Sequence, residues 1–157
     1  MSVPDEKKGY QEALRFLEFY LGNESYAVEL LMVKEVITPP EVTSIPQAPA
    51  YVCGMMNLRG LVLTVIDLRK KLGIKPLQDS SETAVIIFDL QDRLVGMMVD
   101  SICKVINIDQ GAISPIPDSG QRTIAVFRGV LQHSGLLTKW LDPHLVMDDS
   151  LHEKKSA

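Results

Sequence analysis

The chain has little of what most enzyme centres are built from. Among its 157 residues are three histidines and two cysteines. His133, His144 and His152 show no ligand spacing, and neither HxxxH nor HExxH occurs. Cys53 and Cys103 stand too far apart for a zinc or redox motif of paired thiols. Both lie in apolar surroundings and are expected to be reduced core residues. GxSxG, the Walker loop and GxGxxG are all missing. The carboxylates are scattered, and the "HSG" around His133 reads as an exposed hairpin turn rather than a base. The expectation is a protein that is not an enzyme, with no metal and no cofactor.

Other absences narrow the class further. No apolar run has the length of a bilayer span, and the start "MSVPDEKKGYQEALRF" has no signal-peptide core, so a cytoplasmic protein without membrane insertion is expected. A net charge of −4 argues against a nucleic-acid partner. The densest basic stretch, "LRKKLGIK", reads as a solvated helix face. With 46% hydrophobic and 23% charged residues the composition is that of a globular domain, and the length suits one.

What is present is a series of short, β-branched segments between turn signals. "FLEFYL", "SYAVEL", "TAVIIFDL", "RLVGMMV", "KVINI" and "IAVFRGVL" read as strands, with "GNES" and "QDR" as hairpin loops. "MVKEVI" is expected to be a short helix ending before Pro39 and Pro40. Residues 1–13 and 148–157 are polar and are expected to be flexible tails. This pattern suggests small barrels or a sandwich.

The chain also resembles itself. A shift of 75 places Gly54 on Gly129, Gly60 on Gly135, Leu61 on Leu136 and Asp67 on Asp142. A shift of 69 places Phe19 on Phe88, Leu21 on Leu90, Val36 on Val105 and Ile37 on Ile106. The second copy therefore carries six extra residues, near "DQGAISPIPDSGQR". Asp67 precedes "LRKKLG" as a cap for a short helix that Gly73 closes, and Asp142 precedes Pro143 in the same way. The fold expected is all-β, with two similar β subdomains near residues 14–78 and 82–147 and room for strands to cross between them.

One segment is left unexplained by core packing: "VCGMMNLRGLVLTVIDLRKKLG", residues 52–73. Strict alternation puts Met56, Leu58, Val62, Ile66 and Leu68 on one face and Met55, Asn57, Arg59, Leu61 and Leu63 on the other. Gly60 suits positive φ, which sets Arg59 at a hairpin tip or on its outer face. It reads either as a solvated turn arginine paired to a carboxylate or as an interface anchor beside exposed apolar residues. The pairs Met55–Met56 and Met97–Met98 have two readings as well: gap-fillers between covered faces, or an adaptable surface for a partner helix.

The segment from "VCGMMNLRG" to "VIDLRKKLGI" resembles the NLRG segment of the CheW-like domain family. "IPQAPAYV", "FLEFYLGNESYAVELLMVKEVI" and "RLVGMMVDSICKVINI" resemble the same family in the same order, so the likeness covers residues 14–147 as a single domain. It implies two five-stranded, SH3-like β-barrel subdomains and a non-catalytic adaptor. Such an adaptor couples the cytoplasmic tip of transmembrane chemoreceptors to the regulatory domain of the histidine kinase CheA. It is cytoplasmic and recruited to membrane-associated receptor arrays. By position, Arg59, Asn57 and Gly54 match the family's receptor-contacting segment, and Val33 and Glu35 match positions tied to receptor coupling. With no kinase, receiver or receptor segment attached, a stand-alone adaptor is expected. An SH3-like binding module of another chemosensory pathway, with twitching or another output, is the alternative. Thr64 stands where the family usually has proline, and the ending "HSGLLTKWLDPHLVM", with Trp140, departs from the family's usual one.

Overall fold

The computed structural model describes residues 13–75, 81–116 and 125–148. The expected tails, apart from Ala13 and Asp148, lie outside these residues, as do His152 and the later part of the inserted segment. Eleven strands and two short helices are described. They are β1 (Ala13–Leu21), β2 (Glu24–Glu29), β3 (Val33–Ile37), β4 (Val52–Leu58), β5 (Leu61–Asp67) and α1 (Leu68–Leu72). Then follow β6 (Ala84–Asp89), β7 (Leu94–Val99), β8 (Ser101–Asp109), β9 (Ile113–Ser114), β10 (Phe127–His133), β11 (Leu136–Leu141) and α2 (Pro143–Val146).

Five of the six expected strand segments are strands; in the sixth, "IAVFRGVL", Ile124 lies outside the described residues, 125–126 form a 3-10 turn and the strand starts at Phe127. The expected helix over "MVKEVI" is not formed: a single 3-10 turn at Leu30–Met32 leads directly into β3. Val33, Val36 and Ile37 are β-branched, and β3 finds a partner in β6, which satisfies its backbone better than an isolated helical turn would.

One sheet has the order β8-β1-β2-β11-β10-β9 and the other β3-β6-β7-β5-β4. Under the sequence offsets these are the same sheet twice, with β9 as an addition to the first. The parallel pair Thr64↔Val95 of one corresponds to Lys139↔Tyr26 of the other. Each sheet takes strands from both copies: β1–β2 joins β10–β11, and β6–β7 joins β4–β5.

The chain accordingly forms two compact units of interleaved segments. Phe19–Ser25 and Leu31–Cys103 make the five-stranded unit; Tyr26–Leu30 and the described residues before Phe19 and after Cys103 make the six-stranded one. This line differs from the consecutive halves 14–78 and 82–147, because β6 and β7 hydrogen-bond to β3 and β5. The five-stranded unit packs Met56, Leu58, Leu63, Val65, Val85 and Ile87 together. The six-stranded unit packs Phe16, Ala27, Ile106, Ile108 and Leu131, with Trp140 edge-on to Phe16 at 5.1 Å.

The repeated features have physical causes. Both β4 and β10 carry a bulge just before a glycine, Gly54 and Gly129. A Cβ on Gly54 would stand 2.5 Å from the Thr43 carbonyl oxygen, and one on Gly129 2.8 Å from that of Ser114. In each unit a further stretch of chain therefore lies against the bulged strand, and only glycine admits it. Asp67 caps α1 by accepting from the Arg69 amide, and Asp142 caps α2 by accepting from that of His144.

Strict alternation through the β4–β5 turn fails. The loop has two residues, Arg59 and Gly60, so Leu58 pairs with Leu61 and Met56 with Leu63. Cross-strand partners share a face, which puts Leu63 in the core at 2% exposure and turns Val62 outward at 62%. The close approach at Gly129 gives a test. Gly129→Ala is expected to lower stability by about 1–3 kcal/mol. Gly111→Ala, with nothing within 4 Å of its added carbon, should shift a urea midpoint little.

Candidate functional site

The β4–β5 turn places Arg59 and Gly60 both at positive φ, 50° and 92°. Two such residues in a two-residue loop make a hairpin turn whose twist suits the flanking strands. Glycine enters that region freely, whereas a side chain costs about 1–2 kcal/mol there. The turn is pinned by Asn57, whose Oδ1 accepts from the Gly60 amide at 2.8 Å. Asn57 is thus committed locally through one oxygen.

Arg59 reaches Glu35 on β3 and forms an ion pair through Nη2 and Oε1. β3 and β4 are opposite edges of the five-stranded sheet, so the pair ties its two edges together at one end. A bulge between Val33 and Glu35 sets the register that brings the carboxylate there. The Arg59 side chain remains 67% exposed, and Leu61 and Val62 beside it are exposed as well. An ion pair so open to water contributes only about 0–1 kcal/mol.

Of the five sequence-derived site residues, Arg59, Glu35 and Asn57 come together at this tip. Val33 lies half-buried on the same strand as Glu35, paired with Phe88. Gly54 is buried further down β4, where it admits the Thr43 segment. The methionine pairs split as strand geometry requires: Met56 and Met97 are buried, Met55 is exposed and Met98 half-buried.

The charged cluster that sequence reading missed lies beneath. "LRKK" is not wholly a solvated face, because Arg69 is 7% exposed. Its Nε and Nη2 donate to the two oxygens of Asp67 at 2.9 Å each, and Nη1 donates to Asp100 at 2.8 Å. Asp100 also accepts from the Gly22 amide at 2.6 Å, on the β1–β2 turn. The bond to Asp67, joined by that to Asp100, holds the guanidinium above its ordinary value against the opposing effect of burial. The signal for this cluster was the spacing Asp67-x-Arg69, read only as a cap.

Three further expectations are corrected. Cys103 is exposed on β8 rather than in the core, because it falls in an outward-facing run of that strand. Cys53 is half-buried, and burial, with the Asp67 carboxylate adding, pushes its thiol up. His133 is not in the turn, which is Ser134–Gly135; it ends β10 with its ring largely buried, 3.3 Å from Glu18. Among the described residues no three His, Cys, Asp or Glu side chains are placed to hold a metal, and no helix is long and apolar enough to cross a membrane.

A family model described as the CheW-like domain matches residues 15–151. The chain belongs to the CheW-like domain family. The chemotaxis protein CheW of Helicobacter pylori is 33% identical over 118 residues, covering 75% of this chain and 72% of its own. That of Bacillus subtilis is 30% identical over 135 residues, covering 85% and 86%. The crystal structure of the scaffolding protein TtCheW from Thermoanaerobacter tengcongensis superposes with a TM-score of 0.78 at 28% identity, covering 86% of this chain and 92% of that one. Those names describe chemotaxis and scaffolding. The CheW-like match spans strands of both units.

Two measurements follow from the charges of this CheW-like chain. Arg69→Ala leaves two buried carboxylates without their cation and is expected to cost about 3–5 kcal/mol in urea unfolding. Arg59→Ala should cost at most about 1 kcal/mol. At mildly alkaline pH an alkylating reagent should label Cys103 well before Cys53, whose thiol stays protonated to higher pH. Equal rates would contradict that assignment. The sign for stability follows: a thiol raised in the folded state favours folding below its ordinary range and loses that advantage as pH rises through the raised value.

Proposed function

We propose that this CheW-like chain is a non-enzymatic chemotaxis adaptor, its domain spanning residues 14–147, that couples chemoreceptors to a CheA-type histidine kinase. Val33, Glu35, Gly54, Asn57 and Arg59 form or support the receptor-contacting surface. The observation that carries this reading is Arg59 at the exposed hairpin tip. Its turn position disfavours a side chain, its ion pair adds little stability, and yet an arginine is there with exposed Leu61 and Val62 beside it. The corresponding turn of the six-stranded unit has Ser134, so the fold itself does not demand an arginine.

An apolar anchor flanked by a positive and a negative charge suits an amphipathic helix such as a receptor tip. Arg59 can exchange Glu35 for a partner carboxylate without leaving a buried charge unpaired, since both groups reach water. The adaptor works in the cytoplasm and is recruited to receptor arrays at the membrane through this contact. Chemotaxis and scaffolding in the names of its relatives support the same role.

The test is a reconstituted assay of receptor-stimulated kinase activity. Arg59→Glu sets two carboxylates together at the tip and is expected to reduce coupling by about tenfold or more, with the unfolding midpoint nearly unchanged. Undiminished kinase stimulation by a folded Arg59→Glu protein would rule this surface out.

A further inference from the structure

The two copies differ where the exchange of hairpins is sealed. Leu58, Leu63 and Ile87 meet in the core of the five-stranded unit. The offsets of 75, 75 and 69 take them to His133, Thr138 and Glu18. These three also meet, in the six-stranded unit. Thr138 Oγ1 donates to Glu18 Oε2 at 3.2 Å, and His133 Nε2 lies 3.2 Å from that hydroxyl and 3.3 Å from the same carboxylate oxygen. Glu18 is 3% exposed and Thr138 fully buried. What is apolar in one unit is a hydrogen-bonded polar set in the other. Apolar residues of similar volume usually serve stability at least as well, so stability does not account for the polar set.

A second set is asymmetric in the opposite direction. Asp100 binds Arg69 inside the five-stranded unit. The same offsets carry these positions to Leu31 and His144, and Leu31 is 95% exposed. Both sets join a hairpin to the unit that hosts it. Glu18 is on β1, while His133 and Thr138 are on β10 and β11. Asp100 follows β7, while Asp67 and Arg69 follow β5.

The two sheets have the same strand order, so each half of the chain has a rival pairing with itself, in which β1–β2 stays with β4–β5. β1–β2 lies nearer in the chain to β4–β5 than to β10–β11, which makes that rival quicker to form. In it Glu18 would face Leu58 and Leu63, and Asp100 would lie beside His144 in place of Arg69. We propose that Glu18–Thr138–His133 and Asp100–Arg69 are pairing keys: buried polar matches that assign each hairpin to the other half's unit, because the unexchanged fold would bury Glu18 against apolar residues and leave the buried Arg69 without Asp100.

The test reads strand neighbours by cross-linking in a Cys53→Ser/Cys103→Ser chain refolded from urea and then oxidised. Thr64→Cys with Val95→Cys reports the exchanged pairing of β5 with β7, in which these residues are partners. Thr64→Cys with Tyr26→Cys reports the unexchanged one, because Tyr26 is the first-copy counterpart of Val95. With the keys present, only the first pair should cross-link. Replacing them by their counterparts (Glu18→Ile, Thr138→Leu, His133→Leu, Asp100→Leu, Arg69→His) should make the second pair cross-link within folded monomers, at the expense of the first. If that chain does not fold, the smaller Glu18→Ile/Asp100→Leu change, which removes the polar group of each hairpin's key, decides, and second-pair cross-linking is expected there as well. Exclusive first-pair cross-linking in the deciding chain overturns the proposal.

Discussion

Neither half of this chain closes its own sheet. β5 accepts β7 as its parallel neighbour, and β11 accepts β2, so each unit depends on a hairpin supplied by the other copy. Parallel neighbours need a long connection between them. Between β2 and β11 that connection includes strands of the five-stranded unit, and between β5 and β7 it includes α1 and β6. The short capped helices α1 and α2 then turn the chain directly after β5 and β11, at Asp67 and Asp142. Within this frame the hairpin tips at Arg59–Gly60 and Ser134–Gly135 project to solvent, and one of them became a candidate contact surface.

The duplication left a division of labour between the tips. Both have two residues at positive φ, and both are followed by exposed apolar pairs, Leu61–Val62 and Leu136–Leu137. The Arg59–Glu35 pair is confined to one. Where the second copy has Ser134 and Lys104, no such pair is possible. The exposed apolar pair is thus common to both tips, whereas the ion pair belongs to one.

Much of this was legible before the structure. Glycine spacing announced the hairpins, because a tight turn and a close backbone approach both require glycine at fixed places. The aspartates before Leu68 and Pro143 announced the helix caps, because capping is a local interaction. The site tip was legible through NLRG, since Gly60 fixes the turn and the turn fixes Arg59. Long-range partners were not legible. Nothing local to "MVKEVI" says that β6 is waiting for it, so a strand read as a helix. The parity change at a two-residue turn moved Val62 outward and Leu63 inward. Arg69 looked solvated because its second carboxylate, Asp100, is 31 positions away, and His133 looked exposed because Glu18 lies in the other copy.

The interleaving also orders events as the chain is made. All segments of the five-stranded unit exist once residue 103 has been synthesised, so that unit can close while synthesis continues. The β1–β2 hairpin precedes every other described strand, yet its sheet neighbours β8 and β11 come later, β11 as the last described strand. At about 5–20 residues per second it stands without them for on the order of ten seconds. Through that interval, packing the hairpin on an apolar surface would bury the Glu18 carboxylate unpaired, a cost that works against early burial. A residue that is awkward in the finished core is thus an asset during birth, when the wrong sheet is already within reach.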